Sequence, residues 1–253
     1  MICKRFFLIP VFLFSINFSF GEINISEIKP ETILYKSIDN IDLNLYIYHP
    51  ENFDNTKIYN CIVFFHGGAW NNQYIKQFEK QSIYFASRGM IAFIAEYRVT
   101  SIHNSTPFQS VEDAKSVIRY IRENSKSLSL DPEKIAVSGG SAGGHLAAAS
   151  ANISNYDNVN ENLKISSKPN LLILFNPILD TTPGAWGYGS FMRRVGNKIT
   201  DNPYEISPIH HISNVTPPTI ILTGTNDNLV PVIKINEYKE IMISNNVRCD
   251  VIF

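Results

Sequence analysis

The feature that most constrains the fold is the stretch of residues 135–149, where an apolar β-type segment passes through a Gly-x-Ser-x-Gly turn into an alanine-rich helix. Such a tight strand-to-helix turn strains the backbone and leaves no room for neighbouring side chains. Gly139, Gly143 and Gly144 supply that room. The Ser141 hydroxyl would be exposed at the turn, in front of helix amides that favour negative charge. The pattern predicts a serine nucleophile, although a plain glycine turn in an α/β sheet would share it.

Strand and helix patterns alternate around this unit. Buried strands are predicted at residues 58–65, 90–96, 171–175 and 219–223, and helices at residues 73–87, 107–126 and 232–243. The alternation predicts one α/β domain, with a mostly parallel central sheet, helices on both faces and catalytic loops at the carboxyl edge. Residues 32–38 and 41–48 alternate apolar with polar side chains, which predicts an antiparallel hairpin of edge strands.

Several connecting stretches carry weaker signals. Asp131-Pro132 predicts a turn before the nucleophile strand, and the Asn- and Ser-rich residues 152–167 indicate a surface insertion. Residues 180–208 hold Gly, Pro and aromatic residues without a clear period, and we interpret them as a cap over the site. A last strand is expected from Val247 onward.

The first residues have the three parts of a secretory signal. Lys4 and Arg5 precede an apolar run, and a small-x-small site ends at Gly21. The run is shorter than the roughly 20 residues of a membrane-spanning helix. We therefore expect a signal peptide at residues 1–21, a mature domain at residues 22–253, a secreted or periplasmic location and no stable membrane insertion. The formal net charge of −1, without a basic run, argues against a nucleic-acid partner.

Two cysteines remain in the mature chain. Cys61 and Cys249 both lie in apolar β-type runs, which favours two buried free thiols. A disulfide would require the two runs to be neighbours in space.

Acyl transfer by a serine needs amide donors for the oxyanion. The residues from His66 to Ala69 follow a strand, and their Gly67-Gly68 pair can turn its N–H groups toward the serine. We assign the amides of Gly68, Ala69 and Ala142 as oxyanion donors. His66 is expected to hold the loop by hydrogen bonding rather than to act as the base. An ordinary glycine turn is the alternative.

The serine also needs a base and an acid that orients it. Asp227 ends a strand after the serine and is the predicted acid, although its Asn-Asp-Asn context also suits a simple turn. Asp180 is the second candidate.

No histidine follows Asp227 in the sequence. Besides His66, the histidines are His49, His103, His145, His210 and His211. His210 and His211 could approach the site, but a structural or surface role is expected for each. Because the base follows the acid in this order of residues, we expect it beyond Phe253, in a chain that is incomplete at its carboxyl terminus.

Five motifs occur together: His66-Gly-Gly-Ala-Trp70, Glu96-Tyr-Arg98, Asp131-Pro132, Gly139-Gly-Ser-Ala-Gly-Gly-His-Leu146 and Pro217-Pro-Thr-Ile-Ile-Leu-Thr-Gly-Thr-Asn-Asp227. Together they resemble the α/β-hydrolase fold esterase/lipase family, on the branch with acetyl esterases and bacterial feruloyl-esterase-like enzymes. The resemblance implies an eight-stranded core, a Ser141 and Asp227 pair and a histidine after the strand at Val247. It also implies hydrolysis of small carboxylic esters, in some relatives the acetyl or feruloyl groups of polysaccharides. Ala69 stands where many relatives have glycine.

The first hypothesis is therefore a serine carboxylesterase that works through an acyl-enzyme, without a metal or organic cofactor. Its substrate would be a small or polysaccharide-linked ester, with Trp70, Trp186 and Tyr188 walling the pocket, although such rings often serve only packing. An amidase or peptidase of the same fold is one alternative. A catalytically inactive binding protein is another, and the intact elbow, loop and acid argue against it.

Overall fold

The computed structural model describes residues 29–195 and 202–253. The signal peptide predicted at residues 1–21 and part of the predicted cap lie outside the described residues. These residues form eight strands: β1 (Glu31–Ile38), β2 (Ile41–Tyr48), β3 (Tyr59–Phe65), β4 (Ile91–Ala95), β5 (Leu130–Gly140), β6 (Leu171–Phe175), β7 (Thr219–Leu222) and β8 (Cys249–Ile252). They form one sheet in the order β1-β2-β4-β3-β5-β6-β7-β8. All pairs from β4 to β8 are parallel, which confirms the mostly parallel sheet and the eight strands that the resemblance implies.

The predicted hairpin is formed by β1 and β2. Its two-residue turn places Asp39 and Asn40 at φ of 51° and 62°, the left-handed conformation that these residues tolerate and that suits the twist of paired strands. The prediction that both are edge strands is wrong for β2. This strand also pairs with β4 in antiparallel register, so only β1 lies at the edge.

The described part of the chain forms six α-helices around the sheet: α1 (Glu79–Ser87), α2 (Thr100–His103), α3 (Pro107–Glu123), α4 (Ala142–Asn152), α5 (Trp186–Val195) and α6 (Val232–Ser244). Short 3-10 helices cover Ile75–Phe78, Pro203–Ile206 and Pro208–His211. Helices α3, α4 and α6 contribute to the large core on one face, and α1 contributes to a smaller core on the other. Within the described residues, none of these helices is long and apolar enough to cross a membrane.

Two predicted elements differ in detail from the observed ones. The helix predicted at residues 73–87 is divided into the 3-10 helix Ile75–Phe78 and α1. The turn predicted at Asp131-Pro132 lies inside β5, but the pairing of β5 with β3 is interrupted between Leu130 and Ile135. The residues between them therefore bulge from the sheet as a turn would.

The predicted surface insertion at residues 152–167 contains no strand, and only its first residue, Asn152, is helical. Side chains of α3 anchor it: Lys115 Nζ lies 2.6 Å from Asn155 O and 2.8 Å from Asp157 Oδ2, and Arg119 Nη1 lies 2.5 Å from Glu161 Oε2. The insertion is therefore a loop fixed against α3 by buried cations.

The two cysteines are buried free thiols. Cys61 lies on β3 and Cys249 on β8, four strand positions apart in the sheet. At the usual spacing of paired strands this separation is about 19 Å, which excludes a disulfide between them.

Candidate active site

Ser141 occupies the turn between β5 and α4, with φ of 53° and ψ of −117°. This is strained backbone for a residue with a side chain. Two backbone contacts, one from the last residue of β6 and one from the chain after it, hold Ser141. The Ser141 amide donates to Phe175 O at 3.0 Å, and the Ile178 amide donates to Ser141 O at 3.2 Å. The predicted strand–turn–helix unit is therefore present, with the serine at its apex.

The glycines beside Ser141 are required by close backbone packing. A Cβ at Gly139 would lie 2.4 Å from the carbonyl atoms of Gly143, and a Cβ at Gly143 would lie 2.1 Å from Phe65 O. Both distances are far below van der Waals contact. The elbow can therefore approach the end of β3 only with glycine at these positions.

The loop after β3 has three consecutive residues at positive φ: Gly68 at 120°, Ala69 at 52° and Trp70 at 56°. The Gly67 amide donates to Gln77 Oε1 at 2.5 Å, so this donor is already used. Among the described residues, the amides of Gly68, Ala69 and Ala142 have no acceptor. This pattern agrees with the assignment of these three amides as oxyanion donors.

His66 holds this loop from inside the core. Its Nδ1 lies 2.6 Å from Gly67 O, and the Tyr97 hydroxyl donates to His66 O at 2.8 Å. The two rings stack with centroids 4.4 Å apart. Burial lowers the pKa of His66 to about 4, partly offset by the bond to Gly67. A neutral, fully buried ring that donates from Nδ1 fits the loop-holding role predicted for it.

Trp70 does not occupy the place that we expected for a pocket wall. Its side chain is fully buried, and its indole Nε1 lies 3.3 Å from His145 Nδ1. A residue at positive φ directs its side chain away from the course that an extended strand would give it. The ring therefore packs against His145 of α4 instead of facing the surface.

Asp227 follows β7 and is half-buried. Its Oδ1 accepts the amides of Leu229 at 2.7 Å and Val230 at 2.9 Å. Among the described residues Oδ2 has no partner, so this oxygen is available to a base. The carboxylate is thus fixed by one oxygen and open at the other.

Asp180, the second candidate acid, is engaged on both oxygens. Oδ1 accepts from Thr182 Oγ1 at 2.6 Å and Ser207 Oγ at 3.3 Å, and Oδ2 lies 3.2 Å from Lys234 Nζ. Burial raises the pKa of Asp180, but the bonds from Thr182 and Lys234 outweigh it and lower the pKa overall. The structure therefore favours Asp227 as the acid.

The ring of every histidine in the sequence bonds to a group other than the Ser141 and Asp227 side chains. The remaining partners are Glu31 Oε2 for His49, the Val99 amide for His103, Ile206 O for His145, Ser207 Oγ for His210 and Tyr204 O for His211. His211 lines the same groove as Ser150 and Asn152. These residues end α4, which starts at the serine, so they lie about 15 Å along the helix from Ser141. The expectation that His210 or His211 could approach the site therefore gains no support.

The predicted cap contributes a helix that the sequence pattern did not reveal. Phe191 of α5 is fully buried against Phe108, with ring centroids 5.7 Å apart, and Arg194 Nε donates to Ala69 O at 3.3 Å. Tyr188 of α5 is half-buried, and Trp186 begins the helix, with its side chain outside the described part of the structure. The predicted cap thus contacts the 66–70 loop directly.

Gln77 and Arg194 are functional candidates that sequence reasoning missed. Both act through contacts to backbone of the 66–70 loop, and neither belongs to a motif. Only the folded chain brings them to the loop. Among the described residues, no cluster of three or more His, Cys, Asp or Glu side chains could hold a metal ion.

Comparison with known proteins finds one matching family and solved structures of an esterase. The BD-FAE family matches residues 45–242. An esterase 2 of Thermogutta terrifontis in its apo form is 42% identical, with a TM-score of 0.83 over 88% of this chain and 82% of that one. A propionate-bound structure of the Thermogutta terrifontis esterase is 40% identical, with a TM-score of 0.82 over 91% of this chain and 84% of that one.

Two curated relatives are longer proteins. Endo-1,4-beta-xylanase B of Butyrivibrio fibrisolvens is 29% identical over 180 residues, which are 68% of this chain and 28% of the relative. An acetylxylan esterase of Xylanibacter ruminicola is 27% identical over 150 residues, 58% of this chain and 29% of the relative. The chain therefore spans less than a third of the length of these two relatives.

Proposed function

Because the chain belongs to the BD-FAE family, we propose that it is a serine carboxylesterase that hydrolyses small carboxylic esters through an acyl-enzyme. One observation carries the proposal: Ser141 stands at the strained turn between β5 and α4, and the amides of Gly68, Ala69 and Ala142 have no acceptor among the described residues. Preorganised donors of this kind stabilise the negative charge that develops in acyl transfer.

The mechanism follows from these positions. Ser141 Oγ attacks the ester carbonyl as its proton passes to a base, and the oxyanion is received by the amides of Gly68, Ala69 and Ala142. The intermediate collapses, the alcohol leaves with that proton, and the acyl group remains on Ser141. Water then attacks the acyl-enzyme by the same route and releases the acid.

We propose that the base is a histidine supplied from the segment after β8. Strands β7 and β8 are parallel neighbours, so a residue that follows β8 enters the site beside Asp227. The free Oδ2 of Asp227 would accept its ring N–H and fix the tautomer that takes the proton from Ser141.

For the substrate, we propose an ester of an acetyl or a feruloyl group on a small or polysaccharide-linked alcohol. The propionate-bound relative supports a short acyl group such as acetyl, and the acetylxylan esterase relative supports a polysaccharide alcohol. A secreted or periplasmic location would suit such a substrate, and the signal-like residues 1–21 support it.

The test is the hydrolysis of p-nitrophenyl acetate and butyrate by residues 22–253 and by a version extended through the codons that follow. Each is assayed beside its Ser141→Ala control. Turnover that depends on Ser141 in the extended version alone supports both the esterase and the proposed base. Equal turnover by residues 22–253 would overturn the assignment of the base, and no turnover in either would favour an amidase or a binding protein.

A further inference from the structure

His145 lies one helical turn after Ser141 in α4, and its side chain is fully buried. Its ring makes two hydrogen bonds to other elements. Trp70 Nε1 donates to His145 Nδ1 at 3.3 Å, and His145 Nε2 donates to Ile206 O at 2.7 Å. The Trp70 and His145 rings also meet edge to face, with centroids 4.9 Å apart.

These contacts require one protonation state. An indole N–H can only donate and a carbonyl can only accept, so Nδ1 must be bare and Nε2 must carry the proton. Burial lowers the pKa of His145 to about 4, although the bond to Ile206 opposes this shift. At neutral pH the ring is therefore held in the single tautomer that satisfies both partners.

The two partners belong to segments that build the site. Trp70 directly follows Ala69, whose amide is a proposed oxyanion donor, and it is itself held at a φ of 56°. Ile206 ends the 3-10 helix through which the chain returns from the predicted cap. Strained residues persist only where their surroundings fix them. One ring thus connects the oxyanion loop, the nucleophile helix and the exit of the cap.

We propose that His145 is a positioning residue that fixes the oxyanion loop to the nucleophile helix through Trp70. This proposal rests on the proposed function. His145 touches neither the ester nor Ser141 Oγ. It sets the place of the Ala69 amide relative to the serine, so its removal lowers stabilisation of the transition state and leaves substrate binding intact.

The matched variants separate the two hydrogen bonds. Trp70→Phe removes the indole donor and keeps a ring of similar shape, and His145→Phe removes both bonds. His145→Asn keeps an acceptor near the position of Nδ1, and His145→Gln keeps a donor near the position of Nε2. The control is Asn152→Leu at the far end of α4, because Asn152 Nδ2 also bonds the cap exit, at Pro208 O, but lies remote from the oxyanion loop.

The first readout is kcat and KM for p-nitrophenyl acetate, in whichever version of the chain shows turnover that depends on Ser141. We expect Trp70→Phe and His145→Phe each to lower kcat about 10- to 100-fold with KM within about two-fold. The double variant should be no slower than His145→Phe, because one interaction is lost in both. His145→Asn should recover more kcat than His145→Gln, and Asn152→Leu should keep its kcat. The proposal would be overturned by a rise in KM in place of the fall in kcat, by falls in kcat that add in the double variant, or by equal rescue of kcat in His145→Asn and His145→Gln.

The second readout does not depend on activity and decides the matter if no version turns over esters. The amides of Asn71 and Asn72 are protected by bonds to Gly68 O within the loop. Hydrogen exchange at these amides should quicken in His145→Phe and Trp70→Phe while β3 and β5 stay protected. Unchanged exchange in the loop, or equal loss of protection throughout the sheet, would overturn the positioning role.

Discussion

At the scale of single residues, Asp227 shows how a turn residue becomes a candidate catalytic acid. Two amides fix Oδ1, and Oδ2 has no partner among the described residues; the residue follows β7, the strand that pairs with β8. Asp180 has a similar place after β6, but both of its carboxylate oxygens already have partners, which are Thr182, Ser207 and Lys234. The two carboxylates therefore differ in whether one oxygen is left to accept a hydrogen bond from a base, and this difference cannot be read from their positions along the chain.

We predict that Asp227→Asn lowers kcat by about 10⁴-fold, because an amide at this position holds the wrong tautomer of the base. The measurement is kcat for p-nitrophenyl acetate in the active version of the chain. Asp180→Asn is the matched control, and it should keep kcat within a few-fold while weakening the bond to Lys234. A greater loss in Asp180→Asn than in Asp227→Asn would exchange their roles.

Residues that form a motif through their spacing along the chain could be predicted from the sequence. Gly139, Ser141 and Gly143 form a local turn, so their pattern alone is enough to predict it. The position of Trp70 was not predictable in the same way, because its burial depends on a positive φ and on His145 some 75 residues away. The expectation that Trp70 walls the pocket therefore failed, because its contact with His145 could not be read from the sequence.

At the scale of elements, the 66–70 loop, which carries two of the proposed oxyanion donors, is fixed by contacts from several neighbours. The Thr100 amide of α2 donates to Trp70 O at 2.9 Å, Arg194 of α5 bonds Ala69 O, and Gln77 accepts from the Gly67 amide. A loop with three successive residues at positive φ needs such support, since each costs about 1–2 kcal/mol for residues other than glycine. Its shape is therefore a property of the surrounding elements.

We predict that Gln77→Leu lowers kcat about 10-fold with little change in KM, because the Gly67 amide loses its acceptor and the loop loses one support. Gln77→Glu should retain most of kcat, since a carboxylate oxygen can accept the same N–H. Steady-state kinetics on p-nitrophenyl acetate would distinguish these outcomes. Equal losses in the two variants would mean that the side chain matters for another reason.

Elements were predictable where periodicity was strong. The apolar runs of β3, β4, β6 and β7 and the helical spacing in α3 gave their positions to within a few residues. Helix α5 was missed because its first turns contain glycine and aromatic residues, which have weak helix propensity, and its stability comes from Phe191 packing on α3.

At the scale of the whole molecule, the buried histidines couple folding to pH. His66 and His145 are both fully buried, and burial lowers the pKa of each from 6.5 to about 4. Above pH 6.5 both are neutral in the folded and unfolded states. As the pH falls toward 4, the unfolded state takes up protons that the folded state excludes, so the free energy of unfolding declines.

We predict that the free energy of unfolding falls between pH 6.5 and pH 4, with each histidine contributing on the order of a few kcal/mol across the window. Urea unfolding at a series of pH values measures this decline. His145→Gln should be less stable at pH 7 but should show a shallower decline, since it removes one of the two groups. A decline as steep as that of the natural sequence would contradict the role of His145.

The whole-molecule architecture was the most predictable level. The alternation of strands and helices specified a parallel sheet, and the motifs specified which strand ends meet at its carboxyl edge. The general base could not be located by either route, because among the described residues no histidine ring bonds to the Ser141 or Asp227 side chain.

The most direct test of the central claim is to trap the acyl-enzyme. The extended chain is mixed with p-nitrophenyl acetate, quenched in acid during turnover and digested. The masses of its peptides are then measured by mass spectrometry. We predict that one acetyl group is found on the peptide that contains Ser141, and none in Ser141→Ala. Ester turnover with the acetyl group on another residue, or with no acyl-enzyme and undiminished activity in Ser141→Ala, would contradict a serine carboxylesterase built on this elbow.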